Sequence, residues 1–144
     1  MNLLLSIKPE YTEKIFSGQK KYEFRKQKPK LPINIVYIYE SHPSKKIVGW
    51  FNIESIFSDS PEVIWEKCKE FGGIKEKKYF TYCNGNKIIH AFKIDEIYKF
   101  KNPINPFEIF PAFKPPQNFS YFNDPLVPRT LEDVAGFKLC PTID

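Results

Sequence analysis

The sequence predicts a mixed α+β domain built on a small β-barrel with short helices at its flanks. Three observations carry that expectation. The chain has 144 residues, enough for one domain with a real core. Aromatic residues make up 17% of it, so Phe and Tyr can supply most of the core volume. Apolar runs of strand length alternate with stretches of helical spacing in the order β-α-β-β-β-α-α-β, with no internal repeat.

Residues 2–7 (NLLLSI) are a short apolar run closed by Lys8-Pro9 and read as the first strand. Residues 9–17 read as a helix. Pro9 suits the first helical position, Tyr11 and Ile15 lie one turn apart, and Gly18 can stop it. Residues 20–26 alternate, with Tyr22 and Phe24 on one face and Lys21, Glu23 and Arg25 on the other. Two further strands, 33–40 and 45–57, are joined by the turn-like SHPS. Ser60-Pro61-Glu62 is a helix start: a capping hydroxyl, then proline, then an acid in the first turn. The helix spans 61–71, with Ile64, Cys68 and Phe71 as its apolar stripe and Gly72-Gly73 as its stop. A second short helix covers 75–83, and 87–100 is a long strand. Beyond Lys101 prolines become frequent among aromatics, so 102–144 is expected to wrap the domain as irregular chain and single turns. The whole chain, 1–144, thus reads as a single domain.

The formal net charge of +5 suits an anionic partner such as nucleic acid. Abundant Lys, Ile, Asn, Phe and Tyr together are also what AT-rich coding produces, so charge alone leaves the partner open. Cys68, Cys83 and Cys140 have no close spacing, and an odd number argues against a disulfide framework. His42 and His90 are too scattered for a zinc site of ordinary ligand spacing. The apolar run at the N-terminus is far too short for a signal peptide or a membrane span. These features predict a cytoplasmic, reduced protein without metal, cofactor or membrane contact.

Lysine supplies nearly all the positive charge, yet one of only two arginines, Arg25, stands two residues from Glu23. Such a placement suits a task needing a planar, forked donor. The spacing Gly18-x-Lys20-x-x-Glu23-x-Arg25, after a short helix, resembles the signature of the ASCH family, relatives of the PUA RNA-binding domain. The segments LSIKPEYTEKIFSGQKKYEFRK, VYIYESHPSKKIVGWFNI and SPEVIWEKCKEFGGI extend the resemblance over roughly the first hundred residues. They look like the subgroup labelled predicted transcriptional regulators, and KPPQNFSYF resembles that subgroup's C-terminal segment. The resemblance implies a PUA-like barrel with a cleft beside the motif that binds RNA or a nucleotide-like ligand. One small branch of the family carries threonine where Glu23 stands and removes acyl groups from modified cytidine. Glu23 offers no such hydroxyl.

Glu23 and Arg25 share a strand face. They form either a solvated ion pair, worth under ~1 kcal/mol, or a partly buried Arg held by its Glu at a cleft. Lys20 would point to the opposite face of a regular strand, unless it lies in the preceding turn or a bulge re-aims it. Gly18 is a helix stop that also lets backbone approach a ligand. Lys45 and Lys46 matter only if they flank the same cleft. Glu70 is a candidate second carboxylate. The candidate catalytic residues are therefore Lys20, Glu23 and Glu70, and the candidate ligand-binding residues are Gly18, Lys20, Glu23, Arg25, Lys45 and Lys46. Tyr37, Tyr39, Trp50 and Trp65 read as core, and His90 as a hydrogen-bonded core histidine. Residues 114–122 form either an aromatic strap across the barrel or a cover that lays Gln117, Asn118 and Tyr121 over the cleft. The expected function is an RNA- or nucleotide-binding domain with a regulatory role in transcription or translation. The alternative is a hydrolase acting on RNA or a modified nucleoside, using Lys20 and a carboxylate.

Overall fold

The computed structural model describes residues 1–110, 112–122 and 138–139. Its elements run β1 (Leu3–Ile7), α1 (Pro9–Phe16), β2 (Tyr22–Arg25), β3 (Val36–Glu40), β4 (Lys46–Asp59), α2 (Pro61–Cys68), a single 3-10 turn (Lys69–Phe71) and α3 (Glu76–Cys83). They continue with β5 (Ile89–Ile104), α4 (Pro106–Ile109), β6 (Phe119–Tyr121) and β7 (Lys138–Leu139). The strands form one sheet in the order β2-β5-β4-β3-β1-β6, with β7 pairing β5. β1 runs parallel to β3, and the other pairs are antiparallel.

The expected elements through residue 100 are present, with ends shifted by a few residues. The C-terminal region is more regular than expected. β5 continues to Ile104, one helical turn follows, and residues 119–121 add a strand to the free side of β1. Such a three-residue strand carries too little alternation to be seen in sequence. Cys140 and the remainder of the expected wrap, 111, 123–137 and 141–144, lie outside the described residues.

β4 and β5 are the two longest strands, and their register shifts three times, between Ile47 and Gly49, Phe51 and Ile53, and Ile53 and Ser55. Bulges bend a strand and raise its twist, so the sheet curls into a half-barrel of PUA-like form. Leu3, Leu5, Val36, Ile38, Phe51, Phe92 and Ile94 fill its inside, with Ile15 of α1 packed among them. Leu4, Tyr37, Tyr39, Trp50 and Phe100 form a second cluster covered by Phe110, Phe113 and Phe122 from the C-terminal region. β1 is therefore buried on both faces, which accounts for its continuous apolar run. A third cluster packs α2 and α3 onto β2 and β5 through Phe24, Ile64, Trp65, Tyr79 and Ala91.

Local signals explain the helices. Ser60 Oγ accepts the Val63 N–H, and Pro61 follows it. α1 stops at Gly18, whose φ of 83° turns the chain toward β2. His90 departs from its expected place. It is half-buried on the outer strand pair, with Nδ1 2.7 Å from Ser58 Oγ. The alternation itself holds from Ile89 to Lys93: Ala91 packs in the cluster under α2 and α3 and Phe92 in the inner core, while His90, on the Phe92 face, sits at the start of the strand beyond the packed core.

Candidate nucleotide-binding cleft

Between the end of β1, the start of α1, β2 and α3 lies a cavity of about 680 Å³. Its walls come from Ser6, Ile7 and Lys8, then Glu10 and Tyr11, then Lys20 and Glu23 to Arg25, and finally Ile74, Lys77 to Tyr79, Thr81 and Tyr82. Sequence motif and cavity thus meet on β2.

Lys20 precedes β2, and this resolves the question of its face. Its backbone N–H donates to Lys14 O and that of Lys21 to Phe71 O, which pins the turn between α1 and the 3-10 turn. The side chain is only 3% exposed, and Nζ donates to Gly72 O at 2.6 Å. Gly73 leaves room for it. With φ of 65°, a Cβ there would sit 2.6 Å from Lys20 Cβ, so only glycine meets both the backbone and the packing requirement. The ammonium lies 4.8 Å from the centre of the Phe24 ring and 5.5 Å from that of Tyr11. Burial lowers the Lys20 pKa from its ordinary value. Glu23, 3.7 Å away, opposes that fall, while Arg25 and Lys14 add to it.

Glu23 and Arg25 are 6% and 8% exposed, so theirs is no solvated surface pair. Arg25 Nε and Nη2 both donate to Glu23 Oε2, at 3.0 and 2.6 Å. Nη2 also donates to Ser6 O at 2.9 Å, and Nη1 to Asn118 O and Oδ1 at 3.2 and 3.3 Å. Every guanidinium nitrogen thus has a protein acceptor. The fork that would grip a phosphate instead ties β2 to β1 and to the segment before β6.

The cavity rim is cationic. Lys8, Lys77 and Lys78 are exposed there, and Lys78 pairs with Glu10 across it at 3.6 Å. Tyr82 is half-buried with Lys26 Nζ 4.7 Å over its ring. Burial raises the pKa of Tyr82 and of Tyr11, to which the Glu10 and Glu23 carboxylates add at Tyr11. The α3 contribution was missed in the sequence. Lys77, Lys78, Thr81 and Tyr82 recur at helical spacing, a signal that was present but had no motif to point to it.

The remaining candidates lie elsewhere. Gly18 ends α1 and does not line the cavity. Lys45 and Lys46 are exposed on the β3–β4 turn, with Lys46 opposite Glu40, and do not reach the cleft. Glu70 is exposed on the 3-10 turn and is not a wall residue; its neighbour Gly72 contributes instead through a carbonyl. Residues 114–122 act as the expected strap, and of Gln117, Asn118 and Tyr121 none lines the cavity. Phe119 and Phe122 pack on the sheet, and Asn118 meets Arg25. Among the described residues no group of three or more His, Cys, Asp or Glu could hold a metal. No helix among them is long and apolar enough to cross a membrane.

The ASCH domain model matches residues 5–101, and the chain belongs to the ASCH family. It is similar to an ASCH domain-containing ribonuclease of Zymomonas mobilis, 27% identical over 125 residues that cover 82% of each chain. It also matches the ATP synthase subunit alpha of Ureaplasma parvum at 31% identity, and that organism's large ribosomal subunit protein uL22 at 30%. The match takes in 83% of this chain in both cases, but spans only 15% and 38% of those proteins. Crystal structures of two single-substitution mutants of the Zymomonas mobilis ASCH protein superpose with TM-scores of 0.81. Their identities to this chain are 25% and 26%, with 91% of it covered and 96% and 94% of theirs.

Proposed function

We propose that the chain binds single-stranded RNA or a nucleotide-like ligand in the cleft between β2 and α3. The observation that carries this reading is the cavity itself, whose walls combine Tyr11, Phe24, Tyr79 and Tyr82 with a rim of Lys8, Lys77 and Lys78. Aromatic faces with cations around them suit unstacked bases and their phosphates. A cleft of this size admits a nucleotide. A regulatory role in transcription or translation follows if binding alone is the activity.

A second reading is favoured by two observations. Lys20 is a buried amine whose pKa burial lowers, with a carboxylate beside it, which is the arrangement an acid–base catalyst needs. A relative matching most of this chain is named a ribonuclease. In this reading the protein hydrolyses RNA or a modified nucleoside, with Lys20 and Glu23 as the working pair.

Titrating a labelled eight-nucleotide single-stranded RNA and its duplex at several salt concentrations tests the first reading. Binding of the single strand that weakens as salt rises supports it. No binding at low salt sinks it. Incubating the same RNA, and a panel of acylated nucleosides, with wild type and Lys20→Ala separates the two. Turnover lost in the variant makes the protein an enzyme, and binding without turnover makes it a module.

A further inference from the structure

Two polar atoms at the deep end of the cleft are only partly satisfied. Glu23 Oε2 takes two bonds from Arg25, but for Oε1 the cationic neighbour among the described residues is Lys20 Nζ, 3.7 Å away and beyond hydrogen-bond length. Lys20 Nζ has one strong acceptor, Gly72 O, and N–H groups to spare. Buried polar atoms are as a rule hydrogen-bonded, so an acceptor and a donor left side by side call for a partner of the opposite pattern.

Resting on the proposed RNA or nucleotide binding, we propose that Lys20 and Glu23 read the edge of an inserted nucleobase. The base presents an N–H to Glu23 Oε1 and a neighbouring acceptor to Lys20 Nζ. Phosphates stay at the rim on Lys8, Lys77 and Lys78.

The alternative, a phosphate seated at the deep end, meets two obstacles. Arg25 has no nitrogen without a protein acceptor, and the Glu23 carboxylate would face the anion at close range. A base edge meets neither, because carboxylates accept readily from base N–H groups. The aromatic rings beside Lys20, Phe24 and Tyr11, offer faces to a planar ring. The rim lysines, being exposed, hold phosphates without desolvation. A paired base hides the edge that this site would read, so insertion also selects single strands over duplexes.

The test changes the ligand and leaves the protein as wild type. The probes are nucleoside monophosphates, each beside a form that lacks the donor and gains no charge. These are uridine and guanosine methylated on the ring nitrogen, and adenosine and cytidine dimethylated on the exocyclic amine. Ribose 5-phosphate is included as a probe without a base. For the base that binds best, removing the donor is expected to weaken binding roughly tenfold or more, because it leaves the Oε1 acceptor of Glu23 without its donor. Ribose 5-phosphate is expected to compete poorly. Equal affinity for the methylated and unmodified forms overturns the proposal, as does competition by ribose 5-phosphate as strong as by the nucleotide. Either result leaves the RNA-binding reading standing if the labelled eight-nucleotide strand still binds with salt dependence. Absence of binding by every nucleotide and by the RNA overturns both.

Discussion

Arg25 Nη2 donates to Ser6 O at 2.9 Å, joining β2, at one end of the sheet order, to β1, next to the other end. Among the described residues no backbone ladder joins these two strands, and a side chain spans the gap. Asn118 supplies further acceptors from the segment leading into β6, and Ser6 Oγ donates to Pro116 O at 2.6 Å. Only a planar group with donors in several directions can serve Glu23, Ser6 and Asn118 together. Arg25 therefore has a structural task within the motif.

Arg25→Lys keeps the charge and loses most of these bonds. The expected loss of stability is roughly 2–3 kcal/mol, and Arg25→Ala, which leaves Glu23 buried without its main partner, should cost roughly 3–5 kcal/mol. Urea unfolding at neutral pH measures both. A change below about 1 kcal/mol for Arg25→Lys would mean that the seam is held by packing alone.

Gly73 and Gly18 both have positive φ, 65° and 83°, but differ in surroundings. A Cβ at Gly18 meets nothing within 4 Å, while one at Gly73 would sit 2.6 Å from Lys20 Cβ. Gly18→Ala should cost about 1 kcal/mol for the left-handed backbone alone. Gly73→Ala should cost at least about 1 kcal/mol more and weaken ligand binding by displacing Lys20. Equal losses in the two variants would show that Lys20 yields freely.

Lys20 imposes a pH dependence whose sign is fixed. Its pKa in the folded protein lies below that of the unfolded chain. Between the two values the unfolded state holds more protons, so the Lys20 contribution to stability rises with pH up to about 10.5. Cys68 acts in the opposite direction. Burial pushes its pKa from 9.0 to about 11, so stability falls as pH rises across that interval. Comparing wild type with Lys20→Met at stepped pH isolates the lysine. The difference should move in favour of wild type as pH rises, and a flat difference would contradict a lowered pKa.

Much of this architecture was legible because its signals are local. Ser60-Pro61 marks a helix start by capping chemistry, and Gly18 marks a stop by its permitted φ. β1 and β3 read as strands because they are buried on both faces. The motif residues Lys20, Glu23 and Arg25 all line the cavity. Illegible was anything set by the sheet's curl. The bulges of β4 and β5 curl the sheet so that β2 faces β1 and Lys45 and Lys46 stay away. Asn118 meets Arg25 across 93 positions of sequence, a pairing no local pattern encodes.

The cleft makes a prediction opposite to the one that the lysine pair after the β3–β4 turn would suggest. Lys77 and Lys78 line it from α3, while Lys45 and Lys46 are exposed away from it. Each of Lys77→Ala and Lys78→Ala should weaken binding of a short single-stranded RNA and reduce the salt slope by about one unit if it releases one phosphate contact. Lys78→Ala also frees Glu10, an acid on the same rim, so its effect should be the larger of the two. Lys45→Ala and Lys46→Ala remove equal charge and should change the affinity little and leave the slope nearly intact. All four substitutions are at exposed positions, so each variant is expected to fold and the comparison reads binding alone. If the four slopes fall alike, the attraction comes from net charge, and the β2–α3 cleft is not where the RNA lies.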